Sequence, residues 1–145
     1  MLRNAKIENI RGCADMTPNK IKELRIIRYL IVYEEMEHQL QCGLHERARL
    51  EHELRKYTTP RKGYHELKMY QYNNELSIIG NKKMLNKTKQ FLDGLEPTEK
   101  DMLIDRYQHY MTASELSNKY GINQADVLPM IDTIISKHLE QWELD

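Results

Sequence analysis

The chain has 145 residues, with 22 Lys and Arg against 22 Asp and Glu, 6 Gly and 4 Pro. That length can bury one sizeable core, or make a small globular unit with an elongated arm, and the abundance of Met, Leu, Ile, Tyr, Lys and Glu predicts an all-α protein. Because the sequence contains no Gly-rich phosphate loop, no metal-ligand spacing and no nucleophile paired with a base, it predicts no enzyme, no cofactor and no metal site.

The zero net charge is unevenly divided. Residues 1–94 carry 18 Lys and Arg against 12 Asp and Glu, whereas residues 95–145 carry 4 against 10. A basic arm therefore precedes an acidic C-terminal segment. Cys13 and Cys42 lack CxxC spacing and read as free thiols of a reducing cytoplasm, a disulfide between them being the lesser alternative. The longest apolar run, residues 26–33, is interrupted by Arg28 and is too short to span a bilayer, and the N-terminus has no signal-peptide apolar region. A cytoplasmic protein without membrane contact is expected.

In chain order, residues 1–16 lack a clean period and read as one short helix or an ordered lead-in segment. Thr17 and Pro18 signal a helix start, Thr as a cap and Pro in the first turn, where its missing N–H costs nothing. Residues 18–57 contain no further Pro and only Gly43, which predicts one helix on the order of 60 Å long. Ile26, Tyr29, Tyr33, Met36, Leu40, Leu44 and Leu54 fall on one side of it, with Arg47 interrupting a coiled-coil-like spacing. Leu24, Ile27, Leu30, Ile31 and Val32 extend the apolar surface around the first half, so a helical bundle or a homodimer is expected. His38, His45 and His52 recur every seven residues, about 10 Å apart along the axis, too far to share an ion, and read as a solvated face.

Residues 58–63, with Pro60 and Gly63, predict a loop, and residues 64–92 a second helix. Leu67, Tyr70, Met84, Leu85 and Leu92 lie on one side of it, Met69, Tyr72, Leu76 and Ile79 on another, and Gly80-Asn81 is a candidate break. Residues 17–94 thus read as a basic helical hairpin, a candidate coiled coil and dimerisation region. Lys82, Lys83, Lys87 and Lys89, with Arg55, Lys56, Arg61 and Lys62, supply most of the basic excess. Such a run is an ordinary solvated face or a contact for phosphate or an acidic partner.

Residues 95–145 carry the densest local signals. Thr98 is the expected N-cap of a helix with Asp101 in the capping-box position, and Met102, Leu103, Ile104, Tyr107 and Tyr110 form its apolar face to an end near His109. Thr112 with Glu115 starts a short helix over about 113–120. Gly121 stands where a left-handed residue is needed, Ile122 is an apolar plug, and Asn123 can cap the next helix. Trp142 is expected to pack on this domain.

A short helix, a Gly, a hydrophobic residue, a capping residue and another helix make the order of a helix-turn-helix. The run LEPTEKDMLIDRYQHYMTASELSNKYGINQADVLPMIDTIISKHL resembles the promoter-reading last domain of sigma factors. Its place behind a long charged helical region is similar to phage transcription regulators of the RinA and ArpU type. The resemblance implies an all-α protein with a long helical hairpin before a sigma-like helix-turn-helix, acting as a phage or prophage transcription regulator. DNA would be the partner, met by Thr112, Lys119, Gln124 and Lys137 and by Lys82, Lys83, Lys87 and Lys89, with RNA polymerase or another host protein as a further candidate partner.

The base-reading positions, however, hold Gln124, Ala125, Asp126, Leu128, Pro129, Ile131 and Asp132. The two aspartates would face phosphate unfavourably. With Asn123 as the cap, Pro129 falls in the second turn, so the helix is expected to kink there or begin later. The second reading is therefore a non-enzymatic interaction protein, a host-protein inhibitor or adaptor, whose acidic helix-turn-helix contacts a protein.

Overall fold

A computed structural model describes residues 16–142, and residues 1–15 of the lead-in segment, Cys13 among them, and residues 143–145 lie outside them. Among the described residues the protein is all-α: α1 (Pro18–Ile31), α2 (Tyr33–Leu54), α3 (Lys62–Asp93), α4 (Pro97–Tyr107), α5 (Ala113–Tyr120) and α6 (Gln124–Lys137), then a 3-10 turn, Leu139–Gln141. No helix among them is long and apolar enough to cross a membrane.

Thr17 starts α1 as its side chain predicts, its Oγ1 accepting the Lys20 N–H at 3.1 Å. The single helix expected over 18–57 is instead two. At Val32 the backbone turns to φ −92° and ψ 8°, away from helical ψ, although Met36 N–H still reaches the Val32 carbonyl at 2.9 Å. Among the described residues the break separates two compact units: residues 16–31 together with 91–142, and Val32–Gln90. Joined to the arm by sequence, α1 packs in the structure on α4, α6 and the 3-10 turn.

In the terminal unit, α4 packs on α5 and α6, and α5 on α6. Ile26, Leu30, Phe91, Leu103, Leu116, Val127, Ile131 and Ile135 are fully buried at its core. Spacings of four separate Ile26 from Leu30, and Val127 from Ile131 and Ile135, so each set is one face of a helix. Trp142 is 2% exposed, stacked on Tyr29 at 5.6 Å and edge-on to Phe91 at 5.9 Å. The last turn thereby closes over α1.

In the central unit, α2 and α3 meet in opposite directions. Asn74 Nδ2 donates to the Gly43 carbonyl at 2.9 Å, and Arg47 grips Glu75 with two bonds of 2.7 and 2.8 Å. Arg47, which interrupts the apolar spacing in sequence, spans the helix pair. A Cβ on Gly43 would stand 2.9 Å from Ile78 Cγ1, so glycine is what lets the helices approach here. Met36, Leu50, Ile78 and Leu85 are buried. α3 runs unbroken through the candidate break at Gly80-Asn81 and starts at Lys62, ahead of the expected residue 64. His38, His45 and His52 are all exposed.

Candidate functional site

The local geometry of the last three helices follows from their capping residues, with one shift. α4 is capped by Glu96 rather than Thr98: Pro97 takes the first helical position and Glu99 Oε1 accepts the Glu96 N–H at 3.2 Å. Proline's fixed φ and missing donor suit that first position, which moves the start two residues upstream of Thr98. The helix ends at Tyr107, and Tyr110, expected on its apolar face, lies beyond it at φ 56° and 69% exposed. Arg106 Nη1 donates to the Met111 carbonyl at 3.0 Å, and Met111 N–H to the Asp105 carbonyl at 3.0 Å, which close the turn around Tyr110.

Thr112 caps α5 as expected: its Oγ1 accepts the Glu115 N–H and Glu115 Oε1 accepts the Thr112 N–H, both at 3.2 Å. Gly121 adopts φ 65°, the left-handed region. The Gly121 and Ile122 N–H groups both donate to the Ser117 carbonyl, and Ser117 Oγ donates to the Ile122 carbonyl at 2.5 Å. Asn123 occupies the cap position of α6 by backbone geometry, without a side-chain bond.

α6 begins at Gln124 and runs through Pro129, so the expected later start does not occur. The missing Pro129 N–H would have met the Ala125 carbonyl, and both residues are exposed, where water can serve that carbonyl. Thr133 Oγ1 in turn donates to the Pro129 carbonyl at 2.8 Å.

Asp105 is the electrostatic centre of the unit. It is 4% exposed and accepts from Lys119 Nζ at 2.6 Å and Tyr120 OH at 2.5 Å on one oxygen, with His109 Nδ1 at 2.9 Å from the other. Burial by itself would raise this carboxyl, and the bonds from Lys119, Tyr120 and His109 outweigh it and hold it at about 2. Burial and the neighbouring Asp105 raise the Tyr120 phenol, which stays protonated as the donor. A second carboxylate, Glu99, joins α4 to the end of α6 through Lys137 Nζ at 3.3 Å and His138 Nε2 at 3.1 Å. Burial opposes its charge, but the Glu96 N–H, Lys137 and His138 together lower its carboxyl.

The candidate DNA contacts of this unit are thus largely engaged within it. Thr112 holds a cap, Lys119 holds Asp105, and Lys137 holds Glu99, while Gln124 is exposed at the first position of α6. On α3, Lys82, Lys83 and Lys89 are exposed and Lys87 is half-buried. At about 100° per residue, Lys82 and Lys89 share one side of that helix and Lys83 and Lys87 another, roughly 130° round. The four do not make one patch.

Of the positions expected to read bases, Ile131 turns inward, 1% exposed. The outward face of α6 instead carries Ala125, Asp126, Leu128, Pro129, Met130 and Asp132, with Leu128 and Met130 exposed by 40% and 39%. Met130 and the Asp105 cluster are the residues that sequence reasoning missed. Val127, Ile131, Ile134 and Ile135 define the buried stripe and so place Met130 outside it, and the four-residue spacing of Asp105 and His109 was visible. Lys119 and Tyr120 were not, since the turn that brings them back lies between. Comparison with models of protein families, with curated proteins and with solved structures finds no match to this chain.

Proposed function

We propose that this protein is a non-enzymatic transcription regulator, of the kind its sequence resembles, whose helix-turn-helix acts through protein contact. The order of α4, α5, left-handed Gly121 and α6 supports the helix-turn-helix, and the opposed α2 and α3 support the helical hairpin before it. One observation carries the preference for protein over DNA: the outward face of α6 offers Leu128, Met130, Asp126 and Asp132, and the cation at its end, Lys137, is engaged by Glu99. Such a face repels phosphate and suits a basic partner surface with an apolar centre, and RNA polymerase or another host protein is the candidate partner. The same chemistry fits an inhibitor or an adaptor.

DNA reading is the second possibility, and Gln124 favours it, being exposed in the first turn of α6 where an amide can pair with adenine. A pull-down with purified RNA polymerase and host lysate, beside gel shifts on the encoding genome at two salt concentrations, separates the two. Protein contact predicts specific capture that Leu128→Asp with Met130→Asp abolishes, and no shift at low salt. A shift that collapses as salt rises, unaffected by that double variant and lost with Gln124→Ala, would establish the DNA reading instead.

A further inference from the structure

α3 displays an apolar stripe on the side away from α2. Met69, Tyr72, Leu76 and Ile79 are exposed by 59%, 60%, 51% and 60%. At about 100° per residue all four fall within one quarter of the helix circumference, opposite Asn74 and Ile78, which meet Gly43. Together they expose on the order of 400 Å² of apolar surface, the size of patch that marks an interaction site on an ordinary monomer.

Three features of the stripe identify what covers it. Its spacing of three, four and three is that of a coiled-coil seam, and it reads the same in both directions. A helix carrying it can therefore pair with an antiparallel copy of itself, Met69 facing Ile79 and Tyr72 facing Leu76, each contact made twice about a two-fold axis. His65 and Lys83 flank the stripe at the next seam positions, so a slip of one heptad would set Lys83 against Tyr72 and is disfavoured. Gly80, beside the seam, has nothing within 4 Å of where a Cβ would stand. Gly43 serves the contact with Ile78 within the chain, whereas Gly80 leaves open space beside the seam, room for a second backbone to come close.

We propose that the protein forms an antiparallel homodimer through the outer face of α3, with Met69, Tyr72, Leu76 and Ile79 as its core. Two such helices bury on the order of 1,200 Å², the low end for a specific interface, so the dimer is expected to be reversible. Glu75 of one copy approaches Glu75 of the other near the axis, and Arg47 of each chain neutralises its own at 2.7 and 2.8 Å. Lys68 of one copy approaches Lys82 of the other. That repulsion is screened by salt, so the association strengthens as ionic strength rises, the opposite of binding to DNA or to an acidic partner. The dimer rests on α3 alone and stands independently of the reading of α6.

Sedimentation velocity of the 145-residue chain from 1 to 200 µM tests it. A monomer–dimer equilibrium is expected, with Leu76→Glu or Tyr72→Arg weakening it at least tenfold at unchanged helicity, since both residues are exposed. Orientation is read in a background carrying Cys13→Ser and Cys42→Ser. Chains with Met69→Cys and chains with Ile79→Cys should oxidise to disulfide-linked dimers only when mixed, and each alone should remain uncrosslinked. A monomer throughout the range, a dimer indifferent to both seam variants, an association weakened by salt, or equal crosslinking of each thiol variant by itself would overturn the proposal.

Discussion

Asp105 shows how one side chain can hold three elements. It sits on α4, receives Lys119 and Tyr120 from the end of α5, and keeps His109 over the turn between them. Its folded carboxyl titrates at about 2 against an ordinary 3.8, so its contribution is complete above pH 5 and is lost as pH falls from about 4 to 2. That shift corresponds to about 2 kcal/mol. Asp105→Asn should lower stability by about that amount at pH 7, and the acid limb of a denaturation-against-pH curve should flatten between pH 4 and 2. A variant as acid-sensitive as the parent would show that the cluster contributes nothing. Tyr110 is the opposite case, an exposed aromatic in left-handed backbone where glycine would be at ease.

Among the elements, those governed by contacts three to five residues apart were legible in the sequence. Thr17 at the start of α1, Thr112 with Glu115, and Gly121 all stand where their chemistry places them, because a cap or a left-handed turn needs only its neighbours. Pro97 overrode Thr98 by the same local logic. What the sequence could not convey depends on distant partners. α1 was joined to α2 because nothing between residues 18 and 57 breaks a helix, and only the fold reveals that Ser136 reaches Glu23 at 2.5 Å, 113 residues away. The Asp105 cluster was illegible for a similar reason, its lysine and tyrosine arriving across a turn.

α6 supplies a prediction at this scale. Pro129 lies inside the helix on its exposed face and withholds an N–H from Ala125. Pro129→Ala should restore the bond and raise the thermal midpoint, by about 1 kcal/mol or more in stability, because exposed alanine is the best helix former. Calorimetry of the two forms checks it, and an unchanged or lower midpoint would mean that the ring makes compensating contacts.

The whole molecule is two compact units in which the chain leaves one, builds the other and returns. Packing of α1 against α4, α6 and the last turn predicts that the C-terminal helices depend on it. The single Trp makes that visible, since Trp142 stacks on Tyr29 of α1. Removing residues 1–31 should shift its emission to the red and abolish cooperative unfolding of the C-terminal helices. A blue-emitting Trp and an intact transition in the shortened chain would show that α1 is dispensable.

The burial of Ile26 and Leu30 against helices encoded after residue 91 also has a consequence during synthesis. At about 5–20 residues per second, α1 leaves the ribosome roughly 3–13 seconds before α4 begins to emerge. Throughout that interval its most apolar face has no native cover, and by its end residues 32–90 have emerged and can fold. A nascent chain with residues up to about 90 outside the ribosome should therefore be a good client for a nascent-chain chaperone, and the released chain, with α4 to α6 emerged, a poor one.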